Sequence, residues 1–437
     1  MGKKPLIVKW LSVGIILLFV GVTIAPATAQ NTEKQSVSRG NWLYVGGSGP
    51  GNYSRIQDAI DNANDGDTVY VYDDSSPYNE EISIQKQLHL LGENKETTII
   101  DSPNPGVAID ISSTAGVRVE GFTIKSSDLG TIHISFSSFN TINNNYITAN
   151  SYDGIFLILS SDNSITDNVI TAPESGLRLY QSSRTLVSNN TFHKGGLWLQ
   201  DSWLNNVHDN NTVNGKPLLY LQNAADMILS DPAGQIILIG CENITVTNQN
   251  ISNVVIGIQL YDSYNCSLLR NVLSSSTFSN SKGIEMIDSH NIRVCNNTIT
   301  RLHALIAKNC DNIIILQNTI INVTSGIELS YCTNSVISLN TLKRAATLIS
   351  ISLRLCRTCT ISFNNFVDTS SFLSVMFEEL PGAQNRWWRN YWQRPRILPK
   401  PIFGMITDGA YFPTRIYWIH FDFFPAQQPY NITGGMN

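Results

Sequence analysis

The sequence predicts an all-β fold, a parallel β-helix of about 10–12 coils, on two observations. The first is a repeat in which an apolar residue follows two places after an amide residue. That amide residue is Asn145, Asn168, Asn190, Asn211, Gln249, Asn271, Asn297, Asn318, Asn340 or Asn364. The second is composition, since only 14% of the 437 residues are charged whereas 45 are Asn. Charge this low argues against a surface-charged helical bundle, and 42% hydrophobic residues argue against disorder.

Each repeat also contains a short segment in which apolar residues alternate with others after a Gly. These segments are residues 154–157, 176–179, 196–199, 257–260, 283–286 and 326–329. Alternation with a period of two predicts a strand with one buried face. The amide residues are spaced 21 to 26 apart, except for one spacing of 38 that predicts an irregular coil over residues 214–240. Because stacked coils lie about 4.8 Å apart, we expect the Asn side chains to form a hydrogen-bonded ladder.

Both ends of such a stack need a cap, because open parallel sheets expose unpaired strand edges. We expect the N-terminal cap and first coil within residues 30–83, where residues 53–63 are typical of a short amphipathic helix with Ser54 as its N-cap. The repeats then occupy residues 84–370. Residues 371–437 are predicted to form a C-terminal cap rich in aromatic residues. We expect this cap to be structural, with the charged ends of its Arg side chains in solvent. The alternative is that these Arg residues form a surface that binds an anionic glycan or a partner.

The first 29 residues are typical of a secretory signal peptide. Lys3, Lys4 and Lys9 give a positive start, residues 11–25 are apolar, and residues 27–29 (Ala-Thr-Ala) offer a cleavage site. An uncleaved membrane anchor is the alternative. No second apolar run is long enough to span a membrane, so we expect a secreted or cell-surface protein. A formal net charge of −5 makes nucleic acid a poor partner.

Several short motifs carry a family resemblance. They are residues 54–60 (Ser-Arg-Ile-Gln-Asp-Ala-Ile), 66–71 (Gly-Asp-Thr-Val-Tyr-Val), 214–217 (Asn-Gly-Lys-Pro), 296–299 (Asn-Asn-Thr-Ile) and 390–392 (Asn-Tyr-Trp). Over residues 42–395 the chain resembles right-handed parallel β-helix proteins of the NosD-like family, named for a periplasmic copper-binding maturation protein, within the pectin-lyase-like superfamily. Similar archaeal surface proteins imply an archaeal origin. The resemblance leaves function open, because this fold hosts lyases, hydrolases, epimerases and non-enzymes.

Catalytic candidates are few. The Asn-Thr-Asp, Asp-Asp and Gly-His-Gly motifs that the resemblance implies for hydrolases are not found together on adjacent coils. The nearest pair of carboxylates is Glu285 and Glu328, two coils apart with Ile306 between them. Two rungs place their Cα atoms roughly 9–10 Å apart, near the upper limit for a glycosidase pair. We expect solvated surface carboxylates, with a polysaccharide-active enzyme of non-standard site as the alternative.

One outward-facing patch is unusual for its composition. Phe156, Arg178, Tyr180, Trp198 and Gln200 are predicted to lie together on the exposed face of three adjacent coils. Aromatic rings beside planar polar groups can stack on sugars and hydrogen-bond to them, and an exposed apolar patch calls for a ligand. We therefore predict that this face binds carbohydrate, such as a cell-surface glycan. The alternative is that the irregular segment 214–240 folds over the patch and buries it.

Four of the seven Cys share one column of the repeat. They are Cys241, Cys310, Cys332 and Cys356, and Ser263 and Ser289 occupy the same column in other coils. The exchange of Ser for Cys predicts a small buried position, so we expect packed core thiols. Cys356 and Cys359 lie beside Cys332, which leaves a disulfide or a soft site for Cu(I) or Zn²⁺ as alternatives. The residues themselves predict no cofactor, and Ca²⁺ or copper is implied by the resemblance alone.

The function that these observations favour is a secreted or cell-surface, non-catalytic scaffold that binds carbohydrate or serves as structure. A polysaccharide lyase, hydrolase or epimerase of the same fold is the first alternative. Copper binding and delivery, as the family resemblance implies, is the second.

Overall fold

The structure is a computed structural model that describes residues 40–103, 106–126, 130–275, 281–343, 350–368, 375–408 and 415–432. It confirms the predicted fold class, a parallel β-solenoid, which here has about 15 turns and one short helix near the N-terminus. The predicted signal peptide, residues 1–29, lies outside the described residues. Within the described ranges, no helix is long and apolar enough to cross a membrane.

Residues 42–213 form three stacks of short strands. Sheet A contains β1 Trp42–Val45, β2 Asp67–Val71, β4 Leu88–Gly92, β7 Arg118–Glu120, β10 Thr141–Asn143, β13 Ser164–Thr166, β16 Leu186–Ser188 and β19 Asn206–Val207. The first part of sheet B contains β5 Ile99–Asp101, β8 Thr123–Ser126, β11 Tyr146–Ala149, β14 Val169–Thr171, β17 Thr191–His193 and β20 Thr212–Val213. Sheet C contains β3 Ile82–Ile84, β6 Ile109–Ser112, β9 Ile132–Ser135, β12 Ile155–Ile158, β15 Leu177–Tyr180 and β18 Leu197–Gln200.

Residues 216–422 continue sheet B and add two new sheets. The second part of sheet B contains β21 Lys216–Gln222, β23 Gln235–Ile239, β26 Ile256–Tyr261, β29 Lys282–Ile287, β32 His303–Lys308, β35 Ser325–Ser330, β38 Ile351–Arg354, β41 Val375–Glu379, β44 Lys400–Thr407 and β45 Arg415–Asp422. Sheet D contains β22 Ala225–Leu229, β24 Glu242–Thr247, β27 Ser267–Leu269, β30 Arg293–Cys295, β33 Ile314–Leu316, β36 Val336–Ser338, β39 Thr360–Ser362 and β42 Arg386–Trp388. Sheet E contains β25 Asn250–Ser252, β28 Val272–Ser274, β31 Thr298–Thr300, β34 Thr319–Ile321, β37 Thr341–Lys343, β40 Asn365–Val367 and β43 Tyr391–Trp392.

The solenoid has more turns than the 10–12 predicted, because several coils precede the first Asn of the repeat. Strands β1, β2, β4 and β7 of sheet A all come before Asn145. Here the close approach of the backbone depends on Gly, since a Cβ on Gly92 would lie 2.2 Å from the Gly121 carbonyl oxygen. These coils therefore lack the repeated Asn and use Gly at close backbone contacts instead. A coil count based on the Asn positions does not include them.

The predicted Asn ladder is present, and it runs through the interior of the stack. Asn297, for example, donates from its backbone N–H and from Nδ2 to the Asn318 Oδ1, both at 2.9 Å. Asn318 makes the same two bonds to Asn340 Oδ1, at 2.9 and 3.0 Å. Each ladder side chain is fully buried. The turns thus satisfy buried backbone groups with stacked amides, which explains the high Asn content and the low charge.

The column shared by Ser and Cys forms a second ladder. The Ser160 hydroxyl accepts the Ser137 N–H, and its single O–H can donate to either of two carbonyl oxygens, that of Ile134 at 3.0 Å or that of Ile158 at 2.8 Å. In a later coil the Cys332 Sγ likewise lies 3.5 Å from the Ala307 carbonyl oxygen. Ser160 and Cys332 are both fully buried. The position therefore selects a small side chain that can donate to a carbonyl, which Ser and Cys both can.

The N-terminal helix is α1, Ile56–Asn62, shorter than the predicted span of 53–63. The predicted N-cap Ser54 is wrong, since the N-cap is Arg55 and its side chain makes no capping bond. The buried carboxylate of Glu80 caps the helix instead, accepting the Ile56 and Gln57 N–H groups at 2.8 and 3.1 Å. A carboxylate is favoured there by the free amides and the helix dipole.

The irregular coil is a junction between two blocks of strands. Strands β20 and β21 form an antiparallel hairpin around Asn214 and Gly215, both with positive φ. Sheets A and C end before this hairpin, and sheets D and E begin after it. The side-chain oxygen of Gln249 accepts a hydrogen bond from the Ala233 N–H and not from the Asn211 amide. The amide ladder is therefore interrupted between Asn211 and Gln249.

The C-terminal end of the ladder lies beyond the predicted repeat boundary at residue 370. Asn364 bonds to Asn390 Oδ1 at 3.0 Å, and the Asn390 N–H bonds to Asp422 Oδ2 at 2.8 Å. The buried Asp422 carboxylate also accepts the Arg389 N–H and the Trp392 indole N–H. Asn390 Nδ2 also donates to Asp422 Oδ2, at 3.2 Å. A single carboxylate thus terminates the amide ladder, because its two oxygens can accept from all four donors.

Candidate functional site

The five residues of the predicted carbohydrate-binding patch lie together, and we call them the Arg178 cluster (Phe156, Arg178, Tyr180, Trp198 and Gln200). In sheet C, Phe156 pairs with Arg178, and Arg178 pairs with Trp198. The guanidinium carbon of Arg178 lies 4.8 Å from the centroid of the Phe156 ring and 4.2 Å from that of Trp198. These distances are those of cation–π contacts. The three side chains therefore form one stack across three coils.

Hydrogen bonds also fix the Arg178 guanidinium. Its Nε donates to Gln200 Oε1 at 2.8 Å, and its Nη1 lies 3.5 Å from Asp153 Oδ2. Burial raises the pKa of Asp153, although the Ser175 hydroxyl and Arg178 both act to lower it. Because these hydrogen bonds and the two rings already fix the guanidinium, it loses little conformational entropy when it binds a further acceptor.

The sequence predicts an exposed Trp198 ring that could stack on a sugar, but Trp198 is only 9% exposed. Val255 and Ile256 pack against it, and the Lys282 Nζ lies 5.3 Å from its centroid. The cover therefore includes side chains from coils after residue 250. Within the cluster, Phe156, Tyr180 and Gln200 are the neighbours of Arg178 that keep partial exposure.

Two Gln side chains join the edge of β18 to sheet B beside the cluster. Gln235 Oε1 accepts the Leu197 N–H at 2.9 Å, and its Nε2 donates to the Leu197 and Ile256 carbonyl oxygens at 2.7 and 3.0 Å. Gln259 Nε2 donates to the Leu199 carbonyl oxygen at 3.2 Å. These amides replace the hydrogen bonds that a next strand would have made, so the edge of sheet C is closed without a seventh strand.

The predicted carboxylate candidates are not arranged as a pair. Glu285 is 3% exposed and accepts hydrogen bonds from Gln259 Nε2 at 2.9 Å and Lys282 Nζ at 2.6 Å, so the expectation of a solvated carboxylate is wrong for it. Glu328 is half-buried, and Ile306 lies between the two in register. The apolar side chain of Ile306 thus separates the two carboxylates. Glu285 instead forms an ion pair with Lys282 beside the Arg178 cluster.

The thiols of Cys332, Cys356 and Cys359 are buried, as are the other four, and all seven are free. The Cys356 Sγ lies 3.3 and 3.5 Å from the Leu329 and Arg354 carbonyl oxygens. Hydrogen bonds between neighbouring thiols of this column raise the pKa of Cys356, through Cys332 and Cys359, and lower the pKa of Cys332, through Cys310 and Cys356. Among the residues that the structure describes, no group of three or more His, Cys, Asp or Glu could hold a metal ion.

Sequence reasoning missed a second surface, which we call the N-terminal aromatic platform (Trp42, Tyr44, Tyr70 and Tyr72). Tyr44 of β1 pairs with Tyr70 of β2, with ring centroids 6.1 Å apart. Trp42 lies 6.0 Å from Tyr70, and Tyr72 lies 5.1 Å from Tyr70 and 6.1 Å from Tyr44. Trp42 is 53% exposed and Tyr44 is 39% exposed. The signal was available in the alternation Trp-x-Tyr at 42–44 and Tyr-x-Tyr at 70–72.

Polar side chains border the platform on the next coils of sheet A. His89 Nε2 lies 2.9 Å from Glu120 Oε1, and Arg118 Nε donates to Glu120 Oε2 at 3.0 Å. Burial lowers the pKa of His89. Burial and the nearby Glu93 raise the pKa of Tyr70, so its hydroxyl stays protonated and can donate. The surface thus combines apolar ring faces with fixed donors and acceptors.

The chain is similar to several solved structures. An alginate lyase from Paenibacillus sp. str. FPU-7 is 11% identical, with 66% of this chain and 92% of that chain covered, and a TM-score of 0.30. A Family 28 exopolygalacturonase of Yersinia enterocolitica is 10% identical over 70% and 76%, with a TM-score of 0.32. PfbA, a surface adhesin of Streptococcus pneumoniae, is 12% identical over 85% and 95%, with a TM-score of 0.23. No curated protein matches the chain.

A family model described as "Periplasmic copper-binding protein (NosD)" matches residues 54–227 and 217–397. The thiols described above do not fit the copper of that description, because they are buried beside carbonyl oxygens, and the described part of the chain holds no group of three or more side chains that could bind a metal ion. The family assignment does not depend on the metal, since the matched segments span most of the chain and nearly all of the solenoid. The protein belongs to the NosD family.

Proposed function

We propose that this protein is an exported, non-catalytic scaffold that binds carbohydrate, with the N-terminal aromatic platform as its principal contact. The observation that carries the proposal is the exposure of Trp42 and Tyr44 beside Tyr70 and Tyr72 on one face of sheet A. Export is supported by the signal-like N-terminus and by a family described as periplasmic.

The chemistry of the platform matches that of a sugar. A pyranose ring has faces made of C–H groups and an edge made of hydroxyls. The rings of Trp42 and Tyr44 offer an apolar surface for the faces, and stiff aromatic side chains lose little entropy on binding. His89, Arg118 and Glu120 offer donors and acceptors for the hydroxyls. An exposed apolar surface with a polar border is the usual mark of a binding site.

The Arg178 cluster is the second proposed contact. The guanidinium is pre-organised between Phe156 and Trp198, and Tyr180 and Gln200 lie partly exposed beside it. In this arrangement Trp198 positions Arg178 rather than stacking on the ligand itself. A fixed guanidinium favours a carboxylated sugar, because it can form two parallel hydrogen bonds to a carboxylate.

The test is a broad glycan array followed by titration calorimetry on the hits. Replacing Trp42→Ala together with Tyr44→Ala removes two rings, each worth about 0.5–1.5 kcal/mol, and is expected to weaken binding about 5- to 150-fold. Tyr331→Ala is the matched control, since Tyr331 is similarly exposed but lies far along the chain at the end of β35. Tyr180→Ala with Trp198→Ala tests the Arg178 cluster.

Unchanged binding in the Trp42→Ala, Tyr44→Ala protein would move the site away from the platform. If the Tyr180→Ala, Trp198→Ala protein were also unchanged, neither surface would be the site. Absence of any array hit for the wild-type protein would overturn the carbohydrate proposal itself.

A further inference from the structure

The C-terminal end of the solenoid is covered by the tail at sheet E and open along the edge of sheet B. The tail following β45 covers sheet E, since Asn365 and Tyr430 exchange two hydrogen bonds of 2.8 and 2.9 Å. The Ala426 N–H bonds to the Asn390 carbonyl oxygen at 3.0 Å. Sheet B, by contrast, ends in β45, which among the described residues pairs only with β44. One long strand edge is therefore left with unpaired backbone groups.

The sequence of β45 lacks the usual protection of an edge strand. Natural edges carry Lys, Pro, bulges or short strands that prevent pairing with another chain. Residues 416–421 (Ile-Tyr-Trp-Ile-His-Phe) contain no Pro, Lys, Arg, Asp or Glu. Ile416 is 59% exposed and Tyr417 is 89% exposed, so both faces of the strand are open. An edge with six consecutive residues of this kind is a template for another strand.

The outer face of the last three strands of sheet B is also apolar. Met376, Phe403, Met405, Tyr417 and Ile419 line a cleft of about 440 Å³ together with Gly404 and Trp418. Phe421 continues this surface to Phe423, with ring centroids 5.6 Å apart. A partner that extends the sheet past β45 would extend this apolar face as well.

We infer that β45 is a self-association strand, which pairs antiparallel with β45 of a second copy to form a two-fold dimer. A strand is needed because only a strand can satisfy a row of backbone N–H and C=O groups. An antiparallel arrangement places the two copies of Arg415 at opposite ends, about 24 Å apart, whereas a parallel one would set these like charges side by side. A two-fold axis makes the interface self-complementary and closed.

The exposed area is sufficient for a stable dimer. Five aromatic side chains on or after β45 are 40% to 89% exposed: Tyr417, Trp418, Phe421, Phe423 and Phe424. At about 150–250 Å² for each full side chain, they offer about 600 Å² of aromatic surface. Ile416, Ile419 and the backbone add to this figure. A standard interface buries about 800 Å² per partner, which the strand and its flanks can supply.

Sedimentation velocity of the full chain, from about 1 to 100 µM, tests the inference. The wild-type protein is expected to dimerise, and Tyr417→Lys with Ile419→Lys is expected to weaken the dimer at least tenfold by placing charges on the edge. Leu204→Lys, at a residue equally open to solvent but far from β45, is the matched control. Hydrogen exchange supplies a second readout, because the outward amides of β45 should become protected only at high concentration.

A wild-type protein that stays monomeric at 100 µM would overturn the inference. A dimer that persists in the Tyr417→Lys, Ile419→Lys protein, with β45 amides still unprotected, would place the interface elsewhere. Co-sedimentation of monomer with vesicles of phosphatidylcholine and phosphatidylglycerol, lost in the same variant, would instead assign the strand to a lipid surface.

Discussion

Replacing Asn318 with Ala tests the amide ladder as the main polar support of the solenoid. The Asn318 Oδ1 accepts the Asn297 N–H and Nδ2, both at 2.9 Å. Its own Nδ2 donates to the Val294 carbonyl oxygen at 2.8 Å and to Asn340 Oδ1 at 3.0 Å. In the variant, the Asn297 backbone N–H loses its partner inside the protein.

The expected cost follows from that orphaned group. An unsatisfied buried donor costs about 1–3 kcal/mol, and the small cavity and weakened neighbours add about 1 kcal/mol. We therefore expect Asn318→Ala to lower the free energy of unfolding by about 2–4 kcal/mol. Asn79 is exposed, and Asn79→Ala should cost less than about 0.5 kcal/mol.

Urea denaturation followed by circular dichroism measures both values. A solenoid can unfold in stages, so hydrogen exchange of residues 294–299 should accompany it and show local loss of protection around the substitution. Asn318→Asp keeps the acceptor for Asn297 but places a carboxylate against Asn340 Oδ1, and it should be at least as damaging at pH 7. If Asn318→Ala cost no more than Asn79→Ala, the ladder would not be the stabilising element that its geometry implies.

Three further outcomes are expected. Trp198→Ala should lower the free energy of unfolding by about 3–5 kcal/mol in urea, because the ring is buried at the junction; a loss below about 1 kcal/mol would contradict this. Cys332→Ser should change it by less than about 1 kcal/mol, because Ser fills the same column in other coils; a larger loss would show that the column needs sulfur. His89→Gln should flatten the fall in stability between pH 7 and 5. Burial lowers the His89 pKa below its ordinary 6.5, so the unfolded chain binds the proton more readily and stability is lost as pH falls; an unchanged slope would refute this.

The sequence predicted the solenoid because its repeat is local and regular. Asn297 and Asn318 occupy equivalent places in equivalent coils, so their spacing alone indicates a ladder. Coils that lack the repeated Asn could not be predicted in the same way. The coils of β4 and β7 rely on glycine contacts such as Gly92 with Gly121, and the Asn of the repeat does not mark them.

The candidate sites depend on contacts between distant coils, and sequence alone could place them only in part. The column Phe156, Arg178 and Trp198 was predicted because it follows from the repeat register. The burial of Trp198 could not be predicted, because it depends on Ile256 and Lys282. These residues follow the irregular coil, whose path the repeat does not determine. The helix cap from Glu80 is a similar case, because nothing in the local sequence of α1 points to a carboxylate 24 residues away.

The amide ladder also bears on how proteins of this architecture change length. Each Asn in the interior meets an identical group above and below, so removing one whole coil would bring two Asn together in the same geometry. The number of coils can therefore drift during evolution without disturbing the contacts that remain. The junction differs, because there the side chains of Gln235 and Gln259 bond from sheet B to the backbone of β18 in sheet C. Gain or loss of coils should be tolerated on either side of residues 214–259, while this segment keeps its length.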